Sequence, residues 1–236
     1  GSAFKPFIYA AALNKKFSPA TIINDAPVQF DPGQTGGQVW DPKNYDGKYE
    51  GPITLRSGLA RSKNMVSIRI LHSIGPKYAQ DYITRFGFEP ERNPPYLTMA
   101  LGAGSVTLMQ MASGYSVFAN GGYRVNPYLI DRIVDLKGKT IAQAKPVIAG
   151  TPSQRVMDPR HVYIMDSLMR DVIRTGTGTR ALSLGRGDIA GKTGTTNDSN
   201  DAWFAGYATN VAAVAWVGYD QPRSLGDRET GGGLAL

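Results

Sequence analysis

The chain has 236 residues, 26 of them Lys or Arg and 19 Asp or Glu, for a net charge of +7 at pH 7. It contains no cysteine, which excludes a disulfide framework and a thiolate metal site. Its basic residues are dispersed without a nucleic-acid motif, no apolar run is long enough to cross a bilayer, and the hydrophobic fraction of 42% is enough for one sizeable core.

In chain order, residues 4–13 are apolar and alanine-rich and predict a mostly buried helix, with Pro6 tolerated near its first turn. Residues 14–49 are dense in Pro, Gly, Asp and Asn and read as loop, with one short strand expected at 28–30. Helices follow at 53–60, 65–74, 77–86 and 107–119, stopped respectively by Gly75-Pro76 after the second, Gly87 after the third and Asn120-Gly-Gly122 after the fourth. Residues 128–136 and 140–142 predict a hairpin around Lys137-Gly-Lys139. Residues 158–174 form the longest amphipathic segment. Strands are expected at 189–195, 203–208 and 211–219, the last two joined by a tight Thr209-Asn210 turn. Helices followed by an antiparallel sheet predict one α+β domain with the sheet layered between helices, not a doubly wound fold.

Three short motifs carry chemistry: Ser2-Ala-Phe-Lys5, Ser62-Lys-Asn64 and Lys192-Thr-Gly194-Thr195. Each alone also fits a helix cap or a basic turn. Ser2 and Lys5 stand three apart on a helix, within reach of one another. A serine hydroxyl becomes a nucleophile only when a base removes its proton, and a lysine serves as that base only when neutral. Burial and a second cation, for which Lys192 is the candidate, both lower a lysine pKa. Ser62 can pass a proton between a lysine and a leaving amine. Asn64 can hold the lysine with its oxygen and the substrate with its nitrogen, while Lys63 between them is expected to point away. On a strand, Lys192 and Gly194 face one way and Thr193 and Thr195 the other. Gly194 marks a close backbone approach, expected to be that of a substrate peptide laid against the strand edge. Thr193 and Thr195 suit a terminal carboxylate, and the N–H groups of Ser2 and Thr195 suit an oxyanion.

These three motifs resemble the penicillin-binding protein transpeptidase family, and within it the class A enzymes. Leu101-Gly-Ala-Gly-Ser-Val106, Gly191-Lys-Thr-Gly-Thr-Thr196, Asp201-Ala-Trp-Phe204 and Glu229-Thr-Gly-Gly232 extend the likeness over the whole chain. The resemblance implies an α+β fold with an antiparallel sheet sandwiched by helices, here truncated at both ends. It implies that residues 1–236 are a transpeptidase fragment beginning at its own nucleophile, without the family's upstream glycosyltransferase domain and membrane anchor. The implied activity is peptidoglycan cross-linking by a D-alanyl-D-alanine transpeptidase. Ser2, Lys5, Ser62, Asn64 and Lys192 would be catalytic, and Thr193, Gly194 and Thr195 would bind substrate. The implied partners are a stem-peptide donor, an acceptor amine and β-lactams, with no nucleic acid, no metal and no cofactor. The implied place is the periplasmic or other extracytoplasmic side of the inner membrane, with the full-length protein anchored there.

Rival readings are weaker. A phosphate loop at Gly191-Lys-Thr193 would need glycine at position 186, which is arginine. His72 and His161 lack a triad context. Asp198 with Asp201 reads as a solvated turn, not a metal site. A β-lactamase would draw its water-activating glutamate from Glu89-Pro-Glu91-Arg-Asn93, which follows Asn64 too closely. A non-catalytic sensor that stays acylated is the remaining alternative.

Overall fold

The computed structural model describes residues 1–34, 37, 40–196, 199–226 and 228–236; Asp198, read with Asp201 as a solvated turn, lies outside them. A 3₁₀ turn, Ser2–Phe4, runs straight into helix α1, Lys5–Leu13. Pro6 falls in the first turn of α1, where its missing N–H costs no intrahelical bond. Every residue of α1 is buried, including Lys5. The small side chains of Ala10, Ala11 and Ala12 let neighbouring helices close in from several directions.

Helices α2 (Leu55–Ala60), α3 (Asn64–Ile74), α4 (Pro76–Ile83), α5 (Leu108–Ala119) and α6 (Pro159–Arg174) surround it. Their starts follow ordinary capping chemistry. Thr54 accepts from Ser57 N–H, Thr107 and Gln110 form a reciprocal capping box, and Asp158 accepts from Arg160 N–H ahead of Pro159. Phe4, Phe7, Phe86, Phe88, Tyr115 and Phe118 form an aromatic cluster beneath the first turn, with Phe7 and Phe88 ring centroids 4.7 Å apart. Each fully buried ring of this kind contributes about 1.5–3 kcal/mol by leaving water.

The main sheet is antiparallel, in the order β5 (Ala190–Thr195), β6 (Asp201–Ala208), β7 (Val211–Gly218). Lys192, Ala205 and Val214 share one face, which packs on α5, α6 and the Ser2–Phe4 turn. A π-helical turn at Gly231–Ala235 lies on the other face. Sheet and helices thus form the expected α+β layers. A hairpin, β3 (Arg132–Val134) with β4 (Thr140–Gln143), turns at Gly138, whose φ of 80° suits glycine.

Residues 28–30 are not a strand. Pro27 and Pro32 flank them, and Phe30 instead lays its ring against Trp40 and His72. The strands in this region are β1 (Ile22–Asp25) and β2 (Gly51–Thr54), paired with Ile22 opposite Thr54 and Asp25 opposite Gly51. Ile23 and Asp25 point inward and their neighbours outward, so a period of two was present, but Asn24 and Asp25 obscured it. Thr54 ends β2 and caps α2 at once, which places the helix two residues later than its hydrophobic pattern suggests.

Candidate active site

Ser2 opens the first turn, and Lys5 N–H bonds back to Ser2 O, so the two side chains sit one turn apart on one helical face. Several contacts fix this turn. Gly1 nitrogen donates to Gly102 O at 2.7 Å, and Tyr115 Oη donates to Ala3 O at 2.7 Å from within the core. Gly102 has φ 69°, and a Cβ there would stand 2.2 Å from Gly1 O. Gly194 allows β5 to touch the same turn, since a Cβ on it would stand 2.9 Å from Ala3 N. The close approach that Gly194 permits on this face is made by the Ser2–Phe4 turn of the chain itself.

Lys5 is fully buried. Its Nζ donates to Asn64 Oδ1 at 2.7 Å and to Ser62 O at 2.8 Å, and lies 3.2 Å from Ser62 Oγ. Lys192, also fully buried, reaches Ser62 Oγ at 2.8 Å and Thr193 O at 2.9 Å. No acidic side chain pairs with either lysine among the described residues. Burial, and secondarily the neighbouring Lys192, hold the Lys5 amine well below its ordinary pKa. Burial brings Lys192 down to about 7. A neutral amine has two protons to donate and one lone pair. Of the three Lys5 partners only the Ser62 hydroxyl can give a proton back.

Ser62 has φ 57°, in the left-handed region. It follows α2 at the position where glycine is usual: Ser62 N–H bonds Leu59 O and Lys63 N–H bonds Gly58 O, closing the helix. That conformation aims both Ser62 oxygens at Lys5. Lys63 does point away, its buried amine meeting the exposed Asp46 at 2.9 Å and Glu50 at 3.1 Å and the buried Asp25 at 3.7 Å. The Asn64 oxygen takes Lys5, and its nitrogen spends one of its two N–H donors on Lys43 O at 2.7 Å, leaving the other for the substrate role expected of it.

Thr193 and Thr195 point to the opposite face from Lys192. Thr193 Oγ1 bonds Thr177 Oγ1 at 2.5 Å, and Thr195 Oγ1 accepts from Gly231 N–H at 3.1 Å. Thr196 N–H bonds Asp201 O, so Thr196–Asp201 is a hydrogen-bonded pair and Thr195–Ala202, one step along, is not. The alternation of an antiparallel ladder then turns Thr195 N–H off the free edge of β5, beside the Ser2 turn. Two parts of the site went unread in the sequence. One is Thr177, in the Thr175-Gly-Thr-Gly-Thr179 run, whose N–H bonds Ala60 O next to Ser62. The other is Asn44, whose Oδ1 accepts from Asn64 and Met65 N–H and caps α3 from a distant loop. The alternating small residues after α6 were the available signal for the first; the second has none short of the fold.

Glu89 accepts from Gln110 and pairs with Arg92 at 2.6 Å, Glu91 is exposed, and neither bonds to the lysine network. His72 packs on Phe30, and His161 stands near the start of α6.

The family model for the penicillin binding protein transpeptidase domain matches residues 1–233. A penicillin-binding protein 1A of Neisseria flavescens is 55% identical over 236 residues, taking in 100% of this chain and 30% of that protein. One from Pseudomonas aeruginosa is 43% identical over an alignment of 281 residues, covering 100% of this chain and 34% of that protein. The crystal structure of penicillin-binding protein 1A from Haemophilus influenzae superposes with a TM-score of 0.90 at 36% identity, over 98% of this chain and 39% of that one. The chain thus spans about a third of the length of these relatives.

Proposed function

The chain belongs to the penicillin-binding protein transpeptidase family, matching its domain model over residues 1–233, and from that premise we propose that it carries the serine D-alanyl-D-alanine transpeptidase activity of a longer class A protein. The observation that carries this reading is the Ser62 hydroxyl held between two buried lysines beside the Ser2 turn.

Ser2 Oγ attacks the carbonyl between the two terminal D-alanines of a peptidoglycan stem peptide, and Lys5 takes the Ser2 proton. The N–H groups of Ser2 and Thr195 receive the oxyanion. Collapse breaks the C–N bond, and Ser62 delivers its proton to the departing D-alanine and takes back the one Lys5 gained from Ser2, while Asn64 holds Lys5. Lys192, supported by the Thr193–Gly194–Thr195 strand, attracts the substrate carboxylate. An amine on a neighbouring strand then attacks the ester, forms the cross-link and frees Ser2. A β-lactam follows the first half, but its leaving amine stays tethered and the ester persists. The parent protein would do this on the periplasmic side of the inner membrane, with an anchor and a glycosyltransferase domain upstream of residue 1.

The test is intact-mass spectrometry after brief exposure to a penicillin, with peptide mapping. One stable adduct on the peptide containing Ser2, lost in Ser2→Ala, is expected. A persistent adduct in Ser2→Ala would overturn the assignment. Drug consumption without an adduct would favour hydrolysis and a β-lactamase.

A further inference from the structure

Away from the lysine network, Arg85, Arg124 and Arg155 line one cleft of about 600 Å³. None of the three forms an ion pair among the described residues. All three are exposed; Arg155 and Arg85 are braced by neighbouring groups, and Arg124 lies against Gly87. Arg155 donates to Gly121 O at 2.9 Å and to Tyr123 Oη, and lies 4.2 Å over the Tyr123 ring. Arg85 lies 4.9 Å from the Tyr82 ring centroid. Arg124 fills the space left by Gly87, where a Cβ would stand 2.9 Å from its Nη2. Gly87 has φ 95°, so both its backbone and this contact favour glycine.

Three cations facing one cleft repel each other, and an anion between them removes that cost. Guanidinium forks match carboxylates in a two-bond geometry that an ammonium does not offer. The remaining wall separates the candidate anions. Asn126, Ser153 and Gln154 offer amide and hydroxyl groups, and Val147 and Val156 offer apolar surface. That mixture suits a peptide backbone and side-chain stems better than a bare inorganic ion. The volume lies within the roughly 300–1,000 Å³ of small-ligand sites. We propose that this cleft binds an acidic peptide, with carboxylates on Arg85, Arg124 and Arg155. The site is independent of acyl transfer at Ser2.

Fluorescence anisotropy on the full-length protein with a labelled tetraglutamate peptide tests this. Arg85→Gln with Arg124→Gln should weaken Kd about tenfold or more, since two charge-assisted contacts are lost. Lys137→Gln with Lys139→Gln removes the same charge from the β3–β4 turn and should change Kd less than about twofold. Tetraglutamine should not bind. Glutamine keeps most of the arginine stem, so the melting temperature of either variant should stay within about 2 °C of the parent. Absence of binding by the parent, or equal losses in the two variants, overturns the proposal. Displacement of the peptide by tripolyphosphate at lower concentration than by unlabelled tetraglutamate also overturns it, in favour of a phosphate site.

Discussion

The Nζ of Lys192 donates to the Oγ of Ser62 at 2.8 Å, joining residues 130 positions apart. Lys5 Nζ approaches the same oxygen to 3.2 Å. A hydroxyl so placed receives from one amine and can give its single proton only to the lone pair of the other. Its orientation therefore reports the protonation of Lys5, and any route for protons between the two lysines passes through it.

Ser62 occupies a left-handed position, φ 57°, where glycine has no steric cost. Ser62→Gly relieves the left-handed strain but removes the hydroxyl that both buried amines bond, so it should be more stable than Ser62→Ala, which loses the hydroxyl and keeps the strain. Penicillin acylation should slow by roughly 10²–10⁴-fold, the usual contribution of a positioned acid–base group. Ser62→Ala should lose activity similarly and melt below the glycine variant. Melting temperature and acylation rate on the same samples separate the two effects; a glycine variant acylated at the parental rate would remove Ser62 from the relay.

The pH response follows from the buried amines. Lys192 titrates near 7 in the fold against 10.5 ordinarily, and Lys5 is depressed too. Between the folded and unfolded pKa values the unfolded chain binds more protons, so stability rises with pH from about 7 to about 10.5, and the penalty is full below 7. Urea unfolding across this window should show that rise. Lys192→Met should make it shallower by up to about 1.4 kcal/mol per pH unit. Acylation should fall as pH drops, because burial lowers the Lys5 pKa without abolishing its titration and a protonated Lys5 cannot take the Ser2 proton. Equal slopes in parent and variant would count against a buried, uncompensated Lys192.

The sequence displays Ser2, Lys5, Ser62, Asn64 and Lys192 as three motifs because each is fixed by chemistry at short range. Helix boundaries were legible for the same reason: Thr107, Asp158, Gly75-Pro76 and Gly87 act within one turn. What was hidden depends on distant chain. Nothing local distinguishes Ser62 as left-handed, Asn44 as the cap of α3, or Ala3 as the group that fills the space at Gly194. Residues 28–30 misled because Val and Phe favour strands, whereas a strand needs a partner, and β2 had already been taken by β1.

The glycine at 102 makes a separate prediction. Its Cβ-free side faces Gly1 O, and its φ of 69° is already unfavourable for alanine. Gly102→Ala should cost about 1–3 kcal/mol in stability through strain. It should also slow acylation, because the displaced atoms belong to the turn that carries Ser2. Gly138→Ala, at an open hairpin turn with a similar φ, should carry the backbone cost alone and leave acylation unchanged. Equal acylation rates in the two variants would show that the Gly1–Gly102 contact does not position Ser2.

Lys63 tests how the site is supported from behind. Its Nζ sits among Asp46, Glu50 and the fully buried Asp25. Asp25 accepts from Asn44 at 2.7 Å, Asn44 caps α3 through Asn64 N–H, and Asn64 holds Lys5. A run of polar contacts thus leads from the ion cluster around Lys63 to the proposed base. Lys63→Met leaves the Asp25 carboxylate buried without its cation and should cost about 3–5 kcal/mol. Adding Asp25→Asn removes that charge and keeps an acceptor for Asn44, so the double variant should recover part of the loss. If the run of contacts positions Lys5, acylation should recover with stability, because Asn44 is again held in place. Stability regained without acylation would mean that the cluster supports the fold but does not set the position of Asn64.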